Sequence, residues 1–168
     1  MLKQVQHDGL RELGCPAYTA LMTDEQLIAA AREAALEAYA PYSRFFVGCA
    51  IESRDGQVVT GVNVENACYR LGICAEQSAL SAAHLEFGLH NVARIAVAGG
   101  NVQAGALFGD GVVTPCGGCR QAIYEASCLS GRDIEILCSN GSGSTVERHS
   151  ISTLIPHGFG PANLKDAG

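Results

Sequence analysis

The chain has 168 residues, enough for one domain with a substantial core and short for two. Hydrophobic residues make up 48% and charged residues 17%; the 11 Lys and Arg are scattered singly against 17 Asp and Glu, giving a net charge of −6. The longest apolar run falls far short of a membrane span, and a phosphate backbone would call for clustered cations, so neither membrane nor nucleic acid is expected as a partner and a small, uncharged substrate is.

Residues 1–22 contain Gly9, Gly14 and Pro16 and show no sustained period, so they read as an N-terminal extension. Lys3, His7, Asp8, Arg11 and Glu12 interrupt that segment and do not form a secretory leader. Eight cysteines in such a chain point to a reducing compartment, and the expected location is cytoplasmic.

Thr23 followed by Gln26 predicts a capping box, and Leu27, Ile28, Ala31, Ala34, Ala35 and Ala38 then recur at helical spacing up to a stop at Pro41. Phe45 to Ser53 reads as a strand, Arg54-Asp55-Gly56 as a turn and Val58 to Val64 as the hairpin partner. A loop carries Asn66 to Gly72, and helical composition follows from Cys74 to about Phe87. Val92 to Ala98 is a short apolar strand ending in Gly99-Gly100. Cys116 to about Ser127 is a second helix after Pro115, Ile134 to Cys138 a strand, Ser139 to Gly143 a turn, and Thr145 to Ile151 a last strand. Alternating strands and helices without a repeat or internal boundary predict one layered α/β domain over 23–161, with 162–168 as a C-terminal tail.

The chemistry concentrates in Cys74-Ala75-Glu76 and Pro115-Cys116-Gly117-Gly118-Cys119. Cys-x-x-Cys offers two metal ligands from one turn and Cys74 offers a third. Zinc held by three protein ligands keeps its fourth position for water and lowers the pKa of that water. Glu76 stands too close to Cys74 to ligate comfortably and is better placed to shuttle protons. Cys-x-x-Cys alone would fit a redox pair or half a structural zinc knuckle. A redox pair does not need the distant Cys-Ala-Glu, and a structural zinc normally has four protein ligands, although counting leaves a fourth open among Cys15, Cys49, Cys68, Cys128 and Cys138. The three thiols fall in the first turns of two helices, where unpaired N–H groups and the helix dipole favour thiolate. For Cys49, Cys68, Cys128 and Cys138 the preferred reading is packing as small hydrophobes.

With these motifs in order, the chain resembles cytidine deaminase. The resemblance runs through Phe45-Phe46-Val47-Gly48-Cys49-Ala50, Gly61-Val62-Asn63-Val64-Glu65-Asn66-Ala67-Cys68-Tyr69, Gly72-Ile73-Cys74-Ala75-Glu76 and Pro115 to Gln121, and ends at Leu154-Ile155-Pro156-His157-Gly158-Phe159-Gly160-Pro161. It covers roughly residues 24 to 161. The zinc motif marks the wider deaminase superfamily, and Asn63-Val64-Glu65-Asn66 narrows the likeness to enzymes of free nucleosides.

The resemblance implies a three-layer α/β/α domain with a mixed β-sheet, one zinc per subunit on Cys74, Cys116 and Cys119, and Glu76 as the catalytic proton carrier. It implies that Asn63 and Glu65 bond the ribose 3′ hydroxyl, a place where a carboxylate would repel a phosphate. It also implies that Phe45 and Tyr69 line the base and sugar pocket, that the Ala75 N–H holds the base carbonyl, and that the protein is a homotetramer with shared active sites. The activity it implies is deamination of cytidine and deoxycytidine in pyrimidine salvage. A deaminase of a modified, blasticidin-type cytosine nucleoside and a structural zinc module for partner binding stand as alternatives. One departure concerns charge: an Arg usually follows the catalytic Glu in the three-cysteine branch, and here that position is Gln77. Three thiolates leave a zinc cluster at −1, which Gln77 cannot neutralise, so Arg120 is the expected compensating cation.

Overall fold

The computed structural model describes residues 20–165, so most of the expected N-terminal extension, with Cys15, lies outside the described residues. The first helix, α1 (Asp24–Ala35), begins with the predicted capping box: the Thr23 side chain accepts from the Gln26 N–H, and the Gln26 side chain accepts from the Thr23 N–H. It ends at Ala35, well before Pro41. Strands β1 (Phe46–Ser53) and β2 (Val58–Val62) form the expected hairpin. Helix α2 (Ala75–Glu86) follows a short 3-10 turn at Tyr69–Leu71. Next come β3 (Val92–Gln103), β4 (Ala106–Phe108), α3 (Gly117–Ser130), β5 (Glu135–Ser139) and β6 (Val146–Ser150). Two short helices close the order, α4 (Ile151–Leu154) and α5 (Pro161–Lys165).

Among the described residues the strands build one mixed sheet in the order β2-β1-β3-β5-β6, with β4 paired to the far end of β3. Only the β3–β5 pairing is parallel. Period-two alternation sorts the sheet's side chains onto two faces. In register across β1, β3 and β5, Cys49, Val97 and Cys138 line up, as do Ile51, Ile95 and Ile136; both rows join the core under α2 and α3. The intervening row, Ala50, Ala96 and Leu137, faces the other way and packs under α1. The result is the expected α/β/α layering with a mixed sheet in the middle.

Both helical layers approach the sheet closely, and glycines permit it. A Cβ on Gly48 would lie 2.0 Å from the Ala31 carbonyl oxygen of α1, and one on Gly61 would lie 2.2 Å from the Ala79 nitrogen of α2. Near the β1 end of the α1 layer, Glu52 is fully buried and accepts from the Met22 N–H at 2.6 Å and from Arg94 at 2.6 and 2.9 Å. Arg94 also pairs with Asp24 in the first turn of α1 at 2.8 Å. A buried carboxylate so fully partnered offsets its desolvation and ties the start of α1 to the sheet.

The sequence missed the β3–β4 hairpin. Ala104 and Gly105 both have positive φ, 49° and 79°, the turn geometry in which Asn-Gly or Gly-Gly is the usual sign and Ala is not. The strand therefore continues through Gly99-Gly100. α3 likewise runs to Ser130, past the expected Ser127, and is closed by Gly131 in the left-handed region at φ 67°.

The two close approaches make a paired test. Gly48→Ala and Gly61→Ala each force backbone apart and should each cost about 1–3 kcal/mol, read as a lowered Tm. Because Cys74 and Glu76 ride on the start of α2, only Gly61→Ala should also lower zinc content per folded molecule. Equal zinc in both variants would show that α2 can shift without carrying its N-terminus along.

Candidate active site

Two helix N-termini meet at one end of the sheet. Cys74 is the N-cap of α2, Cys116 is the N-cap of α3, and Cys119 sits three residues further on in α3. The chain enters α2 through a two-way backbone pairing of Ile73 with Val64, at 2.9 and 3.0 Å. This pairing sets Cys74 beside the strand extension that carries Asn63 and Glu65. The segment leading into α3 is fixed where the Val113 N–H donates to the Ser139 carbonyl at the end of β5.

The Sγ atoms of Cys74, Cys116 and Cys119 all lie within 4.8 Å of one another, and those of Cys74 and Cys116 are 4.0 Å apart. Zinc–sulfur bonds of about 2.3 Å at tetrahedral angles put sulfurs about 3.8 Å apart, so the three thiols fit that ion. Burial, then the Glu76 carboxylate, pushes the Cys119 thiol far above its ordinary range, and burial pushes Cys74 up. The Cys119 backbone N–H draws Cys116 down. Three thiolates crowded against a carboxylate are thus a costly arrangement by themselves and one that a divalent cation offsets.

Glu76, in the first turn of α2, is 5% exposed, and its Oε2 accepts from the Cys119 thiol at 3.4 Å. Ala75 is buried at the first helical position, where the N–H has no intrahelical partner. Glu76, Ala75, Cys74 and Cys116 share a cleft of about 330 Å³ with Phe45, Val47, Asn63, Glu65, Ser43, Val113 and Thr114. That volume is at the small end of the range for small-molecule sites.

The remaining expected residues divide. Asn63 turns its side-chain amide into a continuation of the β ladder: Oδ1 accepts from the Val47 N–H at 2.8 Å and Nδ2 donates to the Phe45 carbonyl at 2.9 Å. This explains why β2 ends at Val62 rather than Val64. Glu65 accepts from Tyr42 and Ser43, and the Ser43 hydroxyl, with the two N–H groups, holds its carboxyl below the usual range. Tyr69 is 82% exposed and stands edge-on to Tyr42, with ring centroids 6.2 Å apart. It lines an outer hollow that shares Ser43 and Glu65 with the cleft.

Arg120 donates to the carbonyls of Pro115 at 2.8 Å and Leu154 at 3.2 Å, and among the described residues it makes no hydrogen bond to the thiols. Gln77 is exposed, with its amide 3.8 Å from where a Gly118 Cβ would stand, over the Cys116–Cys119 turn. Sequence reasoning passed over Ser43, Val47, Val113 and Thr114. Only Val47 fell inside a motif, and none of the four carries a distinctive chemical group at a diagnostic spacing.

The family described as the cytidine and deoxycytidylate deaminase zinc-binding region matches residues 21–130. The chain belongs to that family. It is 37% identical over 145 residues to a cytidine deaminase of Halalkalibacterium halodurans, covering 86% of this chain and all of the relative. It is 44% identical over 136 residues to that of Mycobacterium tuberculosis, covering 80% and 87%. The crystal structure of cytidine deaminase from Burkholderia pseudomallei superposes with a TM-score of 0.71 at 40% identity, covering 82% of this chain and all of that one. The corresponding Mycobacterium tuberculosis structure gives 0.64 at 35% identity, covering 83% and 99%. The chain is thus an enzyme of the cytidine deaminase family, with the fold of those structures. No helix among the described residues is long and apolar enough to cross a membrane.

Metal content tests the donor set. Cys74→Ala, Cys116→Ala and Cys119→Ala should each lose zinc by mass spectrometry, while Cys68→Ala and Cys138→Ala keep it. Zinc loss on replacing Cys68 or Cys138 alone would overturn the three-thiol set.

Proposed function

We propose that this protein is a cytoplasmic, zinc-dependent hydrolase of pyrimidine salvage that converts cytidine and deoxycytidine to uridine and deoxyuridine with release of ammonia. The observation that carries the reading is the buried Glu76 carboxylate, 3.4 Å from a thiol of the three-cysteine cluster and inside the same cleft. Cys74, Cys116 and Cys119 hold one zinc per subunit. When bound, zinc supplies the Lewis acidity that makes water a nucleophile at neutral pH.

Glu76 takes a proton from the attacking water, delivers one to the ring nitrogen beside the amine-bearing carbon, and then helps protonate the departing amine. Water adds to that carbon, the carbon–nitrogen bond breaks, and ammonia leaves. The Ala75 N–H, unpaired at the start of α2, donates to the base carbonyl. Phe45 packs against the nucleoside. Glu65 accepts from the 3′ hydroxyl, and Asn63 contributes to the same sugar site while holding the entry to β1. A phosphate at that hydroxyl would meet the Glu65 anion, which favours free nucleosides over chain-internal nucleotides.

Tyr69 completes the pocket from the outer hollow in a homotetramer whose subunits share active sites. The apolar groove between α2 and α3, with Leu85 86% exposed, supports subunit contact on that face. Arg120 and Gln77 act on the charge of the thiol cluster, Arg120 as the compensating cation, bonded to the Pro115 carbonyl just before Cys116, and Gln77 from the helix surface.

Ultraviolet assays with cytidine, deoxycytidine, cytidine monophosphate and free cytosine should show turnover of the first two alone, and absence of ammonia release from both nucleosides would defeat the reading. Glu76→Gln should keep fold and zinc while losing at least about 10²–10⁴-fold in turnover, since an amide of the same shape cannot cycle a proton. Near-normal turnover in the zinc-loaded variant would remove Glu76 from proton transfer. Gln77→Arg places a cation over the thiol turn from an exposed position, so the variant should hold zinc against a chelator at least as long as the parent. Faster loss would show that the cluster does not lack positive charge at this point.

A further inference from the structure

The Ser43 hydroxyl joins two groups that the proposed nucleoside site depends on. Glu65 Oε2 accepts from the backbone N–H groups of Tyr42 at 2.9 Å and Ser43 at 3.2 Å. Glu65 Oε1 accepts from the Ser43 hydroxyl at 2.5 Å, and that hydroxyl oxygen accepts in turn from the Phe45 N–H at 3.0 Å. A carboxylate oxygen has two acceptor positions. Both on Oε2 are filled by amides, and one on Oε1 stays open. Oε1 is therefore the oxygen that can take a further hydroxyl, and Ser43 fixes where its free lone pair points.

The backbone here needs fixing. Arg44, between Ser43 and Phe45, has φ 56°, in the left-handed region that residues with a Cβ rarely adopt. The corner is braced on one side by Asn63, through Val47 and the Phe45 carbonyl, and on the other by Ser43, through the Phe45 N–H. Ser43 and Phe45 both line the cleft with Glu65.

We propose that Ser43 is a positioning residue whose hydroxyl aims Glu65 Oε1 into the cleft and pins the Phe45 backbone, so that the sugar acceptor and the aromatic wall are held as one arm. The inference rests on the sugar contact proposed above for Glu65. The same hydroxyl is the main reason the Glu65 carboxyl titrates low, and it thereby keeps the acceptor anionic.

Ser43→Ala and Ser43→Thr test it with two readouts. The first is hydrogen exchange of the amides from 42 to 47, measured by mass spectrometry without substrate. Ser43→Ala should exchange faster there, and Ser43→Thr, which keeps the hydroxyl at an exposed position, should restore protection. The second is steady-state kinetics on cytidine and on 3′-deoxycytidine, with zinc content checked. Ser43→Ala should lower kcat/KM for cytidine by roughly 10-fold, mainly through KM, with a much smaller loss on the substrate lacking the 3′ hydroxyl. In a Glu65→Ala background the same substitution should add little. Unchanged exchange in Ser43→Ala, equal losses on the two substrates, or failure of Thr to rescue would each overturn the proposal. If the unmodified protein released no ammonia from cytidine, the proposed function would fail separately, and the exchange comparison would still decide whether Ser43 holds the arm.

Discussion

The structure is organised around a cluster of three thiols and a carboxylate whose ionised form protein alone accommodates poorly. Three cysteine sulfurs lie within 4.8 Å of one another, and a buried carboxylate lies 3.4 Å from one of them. Two features offset this. The first is the convergence of the N-termini of α2 and α3, whose unpaired N–H groups and dipoles put positive potential at the thiols. The second is the fit of the sulfurs to a divalent ion. The convergence requires both helices to start at the same edge of one sheet face, and so the sheet order and the close seat of α2 over Gly61 matter chemically. The α1 layer carries no thiol of the cluster. It closes the other face with small residues, Ala50, Ala96 and Ala98, and a satisfied ion cluster at Glu52 and Arg94.

The cleft walls follow from how backbone groups are completed at strand ends. Asn63 uses its amide as a substitute rung on β1, and Glu65 gathers the N–H groups of the loop before that strand. Asn63 and Glu65 therefore support the fold and also line the cleft, while Asn66 lines the outer hollow. On the other side, Arg120 and Gln121 of α3 bond carbonyls of the C-terminal segment, at Leu154 and Phe159. That lacing ties the C-terminal segment to the helix that carries Cys119.

Elements with a local signature were legible in the sequence: the capping box of α1, the alternation of β1 and β2, and the apolar runs of β3 and β5. The cysteine spacing was legible too, because metal chemistry limits which residues can serve and how close they stand. What could not be read depends on tertiary closure. Nothing local says that Ala104 will take a positive φ and fold β4 back on β3, or that Tyr69 will face an outer hollow while Phe45 lines the cleft. Ser43 lay outside every quoted motif, since its importance comes from sitting between Glu65 and Phe45 in space. Arg120 was legible as a cation beside the Cys-x-x-Cys turn, but not its bonds to the carbonyls of Pro115 and Leu154, which depend on how the C-terminal segment folds back.

Cysteine itself shows how position selects function. Cys49 and Cys138 lie in register on either side of Val97, fully buried, and behave as small hydrophobes. Cys68 and Cys128, expected to pack in the same way, are exposed instead. Burial holds Cys49 well above the ordinary thiol range and pushes Cys138 up to about 12, so both stay neutral in the sheet core. Burial raises Cys119 and Cys74 as well, so position is what separates the two sets: neither Cys49 nor Cys138 stands at a helix start, and among the described residues neither joins a cluster of three possible metal donors. Cys74, Cys116 and Cys119 differ from them in their location at two helix N-termini, with Cys116 drawn down by a backbone N–H. The same side chain is thus packing material in the strands and metal donor at the helix starts, and the backbone around each sulfur makes the difference.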